Sequence, residues 1–336
     1  MLVERLDNLD VDTWRLFDDT RECIDEAHRD DSLKSVVKAD LETYVERDPL
    51  LAKTLHKLRS SGKKLFLLTN SYWEYTKTVM SFLLDGELPE YSNWQSYFEV
   101  IVTGSKKPGF FTGNEPLAEL DDDGNILGRA GKHPQRRSFQ GGNLRDLEKL
   151  LGMGGEVILY VGDHIYGDIL RTKKSALWRT ALVVEELEDE IQVSLQKKAE
   201  VEELAEYENK RRELDDLANS QRRRLSLLEK EHGTGAANNE AVALRAERNQ
   251  TKRQLKKVLH QMNRLETHLD AAFNPNWGMV FKEGNENSRF GEQVAEYACI
   301  YTSRVSNFLH YSAYQYFRSR RDLMPHERDY LRSNDT

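Results

Sequence analysis

Three short polar stretches carry residue types suited to holding a phosphate. In GDHIYGD, Gly162 to Asp168, an apolar run ends and two carboxylates, Asp163 and Asp168, follow with a glycine before each. A hard cation such as Mg²⁺ takes carboxylate oxygen and keeps several waters, and Asp163 is placed to offer that oxygen. The other reading of Asp163 is a cap for the next helix. The second stretch, LLTNS, Leu67 to Ser71, also runs from an apolar segment into small polar residues. The hydroxyls of Thr69 and Ser71, the Asn70 amide and free N–H groups at a helix start would together cradle a phosphate. An ordinary helix N-cap fits the same residues as well. In the third, SKKPGFF, Ser105 to Phe111, a lysine next to Pro108 can balance phosphate and carboxylate charge. Plain surface lysines are the alternative for Lys106 and Lys107.

These stretches need elements to hold them. Apolar runs at Lys63–Asn70, Tyr97–Gly104, Glu156–Asp163 and Trp178–Val184 read as buried strands. Helical patterns at Tyr72–Leu84 and Asn143–Leu151 fall between them. Strand, helix, strand in alternation marks an α/β chain with a parallel sheet and helices on its faces. Fully buried parallel strands read as continuous apolar runs, as these do. Ligands of open parallel sheets collect at the carboxyl ends of the strands, and each polar stretch follows such an end.

The whole chain sets wider bounds. It has 336 residues with a formal net charge of −8, so a general nucleic-acid partner is not expected. No apolar run reaches the roughly 20 residues that span a bilayer, and MLVERLDNLD lacks the apolar core of a secretory signal. The two cysteines, Cys23 and Cys299, form no CxxC, and a reducing, cytoplasmic setting is the default. From 185 to 272 apolar residues recur at three- and four-residue steps around a polar turn, HGTGAANNE. This predicts a long helical hairpin of coiled-coil character. Residues 273 to 336 are rich in aromatics at helical spacing, which predicts a helical region used as core or subunit contact. Both zones suggest a homo-oligomer without giving a count.

Taken in order, LLTNS, a Lys-Pro and GDHIYGD resemble motifs two, three and four of the haloacid-dehalogenase-like phosphohydrolases. The likeness is closer to one branch, the cytosolic purine 5'-nucleotidases specific for IMP and GMP. KPGFF, WQSYFEVIV (Trp94 to Val102), GDILRTKK (Gly167 to Lys174), WRTALVV and LMPHE (Leu323 to Glu327) carry it over most of the chain. The resemblance implies a Rossmann-like core over 61–184, a partial cap over 1–60, the hairpin and the C-terminal region. It implies that Thr69, Asn70 and Ser71 bind phosphate, that Lys107 stabilises the phosphoryl group, that Asp163 ligates Mg²⁺, and that Asp168 orients the loop or a metal-bound water. It further implies a purine nucleoside monophosphate substrate, read by Arg21, Asp25, His28 and Lys34. Arg21, Asp25 and His28 are spaced to share one helical face. A solvated amphipathic helix is the plainer reading of that segment.

One part of the family's pattern is missing. Its chemistry starts at a DxDxT motif closing an apolar strand, where the first Asp attacks phosphorus and the second moves protons. The nearest candidate, LDVDTW with Asp10, Asp12 and Thr13, has its Thr one place early and follows no buried strand. It reads as a decoy. The expectation is therefore a chain that begins inside the cap, without the first core strand or the nucleophile. Alone it should be inactive or slow, while a full-length parent would work through a Mg²⁺-dependent aspartyl-phosphate. The competing expectation is a non-catalytic scaffold with a helical hairpin.

Overall fold

A computed structural model describes residues 12–131, 134, 136–232, 239–284 and 286–318. Asp10, most of the HGTGAANNE turn and LMPHE lie outside the described residues. Helices α1 (Thr13–Arg29), α2 (Ser32–Ala39), α3 (Leu41–Tyr44) and α4 (Leu51–Ser60) precede strand β1 (Phe66–Leu68) and helix α5 (Trp73–Leu84). Strands β2 (Val100–Thr103), β3 (Leu117–Leu120), β4 (Ile126–Arg129) and β5 (Ser138–Gly141) lead to α6 (Leu144–Leu151). Then come β6 (Leu159–Gly162), α7 (Arg171–Ala176) and β7 (Arg179–Val183). Helices α8 (Leu187–Gln196), α9 (Lys198–His232) and α10 (Asn239–Ala272) follow. Next come β8 (Lys282–Glu283), β9 (Glu286–Asn287), α11 (Arg289–Tyr297) and β10 (Ile300–Thr302), and a 3-10 turn at Val305–His310 follows.

The chain forms two compact units. One joins the residues up to Val183 with those from Tyr297 onward; the other is Val184–Glu296. The first is the α/β unit. Its larger sheet runs β1-β2-β5-β3-β4, with β1, β2 and β5 parallel and β3 and β4 antiparallel additions. Its smaller sheet runs β10-β7-β6, all parallel. Among the described residues β1 has a ladder partner on one side only, β2, and β6 on one side only, β7.

The apolar pattern explains the layers. All of β2 is buried, so it reads as an unbroken apolar run. Its alternation still matters: Val100 and Val102 pack with Leu68, Phe110, Phe139 and Trp178, while Ile101 packs with Trp94, Tyr97 and Leu120. Each of the four strands read from the sequence is present, as are both helices; Asn143 caps α6 by accepting from the Asp146 N–H at 3.1 Å. The strands β3, β4, β5 and β10 are additions that the sequence pattern did not announce. Asp12 caps α1, accepting from the Trp14 N–H at 3.0 Å, which gives the carboxylate of LDVDTW a helix-start role.

The second unit is built on α9 and α10, which run antiparallel and pack Leu225, Ala241, Leu244 and Leu228 along their seam. Within it Arg211 grips the Glu208 carboxylate through two N–H groups at 2.7 and 2.8 Å, and Arg212 adds a third at 3.2 Å. These bonds pull the Glu208 carboxyl down to about 2.

Candidate active site

The tips of β1, β2 and β6 bring the three polar stretches to one place. At the end of β1 the Thr69 hydroxyl accepts from the Ser71 N–H at 3.1 Å. The Thr69 carbonyl accepts from the Ser105 N–H at 3.0 Å, and the Ser71 carbonyl from the Gly104 N–H at 2.8 Å. The loop after β1 and the loop after β2 are thus zipped together. Asn70 completes the zip: its Oδ1 accepts from the Lys107 N–H at 2.6 Å and the Ser105 hydroxyl at 3.0 Å, and its Nδ2 donates to the Lys107 carbonyl at 3.1 Å. Helix α5 starts only at Trp73, behind Tyr72, and has no side-chain cap. The polar trio Thr69–Ser71 therefore does not cap it. Asn70 spends much of its amide on holding the lysine loop.

Lys107 then reaches toward β6. Its ammonium donates to Asp168 Oδ1 at 2.8 Å, to the Tyr160 hydroxyl at 2.9 Å and to the Leu68 carbonyl at 3.3 Å. An ammonium has three protons, so all are spoken for. The pair is sheltered, with side-chain exposures of 14% for Lys107 and 6% for Asp168. Tyr160 donates its own proton to the same Asp168 oxygen at 3.0 Å. The backbone N–H of His164 donates to Asp168 Oδ2 at 3.3 Å. Burial, reinforced by the charge of Asp168, pushes the Tyr160 phenol well above the usual tyrosine range. Tyr160 is therefore a neutral hydroxyl at any ordinary pH.

Asp163 follows the last residue of β6 and is exposed. The turn after it is capped by His164, whose Nδ1 accepts from the Gly167 N–H at 2.8 Å. Asp163 is thus not the cap, and its carboxylate makes no hydrogen bond to a described residue. Gly162 is required for space. A Cβ there would stand 2.7 Å from the Asp168 Cβ and 2.8 Å from its Oδ2. The small residue lets the Asp168 side chain lie against the strand end, where Lys107 meets it.

Among the described residues no three His, Cys, Asp or Glu side chains gather as a metal site. Both Asp168 oxygens are engaged, so among the described residues Asp163 is the free carboxylate at these strand tips. The described residues do not by themselves compose a magnesium site.

The remaining expected residues make no bond to that cluster among the described residues. Arg21, Asp25 and His28 are exposed on α1, and no hydrogen bond or ion pair among the described residues joins them to Thr69–Ser71, Lys107 or Asp163. Lys34, on α2, stands 5.9 Å above the Tyr75 ring of α5. Nearby, Lys38 pairs with Glu74 of α5 at 2.9 Å, so α2 is tied to the helix that follows the Thr69–Ser71 loop. Tyr160 is not among the residues expected from the sequence, where EVILYVGD reads as a buried strand. The available signal was a phenol inside a buried run, since a buried hydroxyl usually finds a polar partner.

The strand tips thus gather a hydroxyl-rich loop, an ammonium and a carboxylate turn at the carboxyl ends of parallel strands, where open α/β sheets collect their ligands. The 5' nucleotidase family model matches residues 2–329, and the chain belongs to that family. It is 28% identical over 323 residues to a 5'-nucleotidase domain-containing protein of Dictyostelium discoideum. That match covers 95% of this chain and 50% of the relative, so the chain spans about half the length of the curated relative it matches. No helix among the described residues is long and apolar enough to cross a membrane.

Proposed function

We propose that the whole protein hydrolyses purine nucleoside 5'-monophosphates, IMP and GMP, in the haloacid-dehalogenase manner. In this reading an aspartate outside the described residues attacks phosphorus, and its strand pairs in the space left beside β1 and β6. This chain supplies the phosphate loop Thr69–Ser71 and the first-turn N–H groups of α5. It supplies Lys107 to offset phosphoryl charge, with Asp168 as its counter-ion, and Asp163 as one carboxylate of a magnesium site. Bound there, magnesium would offset phosphoryl charge as a Lewis acid. Arg21, Asp25, His28 and Lys34 read the base once α1 faces the nucleotide. The single observation that supports this reading is the Lys107 ammonium, held between the tip of β1 and Asp168 at 2.8 Å beside an exposed, uncommitted Asp163. A cytoplasmic setting, a coiled-coil hairpin and self-association belong to the same proposal, the last read by sedimentation.

Phosphate release from IMP with Mg²⁺ tests it on two proteins, residues 1–336 and a longer protein containing them. The expected result is little or no turnover by 1–336 and ready turnover by the longer protein. Rapid turnover by 1–336 alone would overturn the shared site. Failure of the longer protein on every nucleoside monophosphate would favour the scaffold reading instead.

A further inference from the structure

We propose that Tyr160 is a positioning residue for Lys107: its hydroxyl holds the ammonium in the one orientation from which it serves a bound phosphate. The inference rests on the reading of Lys107 as the phosphate lysine. Three atoms form a closed triangle: Lys107 Nζ to Asp168 Oδ1 at 2.8 Å, Lys107 Nζ to Tyr160 Oη at 2.9 Å, and Tyr160 Oη to Asp168 Oδ1 at 3.0 Å. A carboxylate alone fixes a lysine poorly, because the ammonium is a point charge on a four-carbon stem that can swing around a single oxygen. A second acceptor off that axis removes the swing. With its own proton turned to Asp168, the Tyr160 oxygen presents a lone pair to Lys107; the neutral phenol thus accepts a hydrogen bond from the ammonium without adding charge that would compete with an anion.

The ring is itself held fast. It stacks on Phe66 at 6.3 Å between centroids, meets Phe111 at 5.9 Å edge-on and lies 5.8 Å from Trp178. Tyr160 is 5% exposed. A hydroxyl on a ring that cannot move is a fixed reference point, which the extensible four-carbon lysine stem is not. The Lys107 ammonium also stands 5.6 Å from the centre of the same ring, so one residue offers it both an acceptor and an aromatic face.

Tyr160→Phe removes the hydroxyl and keeps the packing. The test uses the full chain 1–336, with inorganic phosphate as the probe, titrated by NMR and calorimetry. Lys107→Met and the double variant run alongside. Tyr160→Phe should weaken phosphate binding about tenfold, the equivalent of one charge-assisted hydrogen bond. Lys107→Met should abolish most of the binding, and the double variant should bind no worse than Lys107→Met. That non-additivity separates positioning from a general loosening of the core, which would weaken binding further in the double variant. The ¹H–¹⁵N signal of the Lys107 ammonium is a second readout: present in the unsubstituted chain, lost to exchange in Tyr160→Phe. If Lys107→Met lowers affinity while Tyr160→Phe keeps both affinity and signal, the tyrosine's role is overturned and the lysine's stands. If Lys107→Met binds phosphate unchanged, or the unsubstituted chain binds none, both readings fall.

Discussion

Removing the Lys107 charge should unfold the α/β unit far more easily than removing any surface lysine. In Lys107→Met the Asp168 carboxylate keeps the Tyr160 hydroxyl at 3.0 Å and the His164 N–H at 3.3 Å, but loses its counter-ion in a place that is 6% exposed. Breaking a buried pair in this way costs about 3–5 kcal/mol, because the survivor's charge is left uncompensated. Typical surface pairs contribute about 0–1 kcal/mol. For a unit of this size that cost lowers the melting temperature by about 6–20 °C. Asp168→Asn alone should cost less, since the ammonium at 14% exposure has a route to water and keeps Tyr160 and the Leu68 carbonyl as acceptors.

The double variant Lys107→Met with Asp168→Asn removes both charges. It should be more stable than Lys107→Met, with a coupling of about 2 kcal/mol between the sites. Urea unfolding followed by tryptophan fluorescence reads this directly, because Trp73, Trp94 and Trp178 are buried in the α/β unit. A double variant whose loss equals the sum of the single losses, or a Lys107→Met that costs under about 1 kcal/mol, would show that the pair is not a sheltered one.

Gly162→Ala drives a methyl group into Asp168, whose Cβ would stand 2.7 Å away. It should cost about 1–3 kcal/mol in urea unfolding and weaken phosphate binding with it. Asn70→Ala removes the three side-chain bonds by which Asn70 ties the Lys107 loop to the β1 tip. Hydrogen exchange over Ser105–Phe111 should quicken about tenfold while the strands stay protected. In the other unit, the folded Glu208 carboxyl titrates near 2, below its ordinary 4.5. The stability it confers is therefore fully present above about pH 4.5 and lost as the pH falls through about 2. Thermal melts of the helical signal should show that loss, and Glu208→Gln should flatten it.

The parallel strands and the order of the polar stretches were legible because burial on both faces writes itself as apolar runs. The β2 run VIVT is the clearest case. The hairpin β3–β4 was not legible: β4 is exposed along its whole length and ILGR has no buried face to betray it. Strand β10 was hidden for another reason. Ile300–Thr302 is short and partly exposed, and its strand character comes from pairing with β7, a contact 119 residues distant at Ile300 and Ala181. In the site, residue types gave Lys107 and Asp168 but not their bond to each other, since sequence spacing says nothing about the direction of a long side chain. Nor could spacing show that Asn70 would turn its amide to the lysine loop, a choice settled by the two donors that Lys107 and Ser105 offer and the one acceptor, the Lys107 carbonyl.

The peptide between Leu68 and Thr69 shows why site and fold cannot be separated here. Its N–H points to β2, donating to the Val102 carbonyl at 2.9 Å. In a trans peptide the C=O points the opposite way, so the Leu68 carbonyl faces the open edge of β1, and it is there that it meets Lys107. The same ammonium bonds Tyr160 on β6, the edge strand of the other sheet. Lys107 therefore spans the space between two edges that carry no ladder to each other among the described residues, over the stacked rings of Phe66 and Tyr160. Unpaired edges are a liability, and this one is bridged by the group assigned to phosphate. Any anion that draws Lys107 toward solvent must draw it first from the Leu68 carbonyl, its longest bond at 3.3 Å, while Tyr160 and Asp168 keep hold. Phosphate should then bind without unlocking the two sheets, and a lysine freed of Tyr160 should not have that choice.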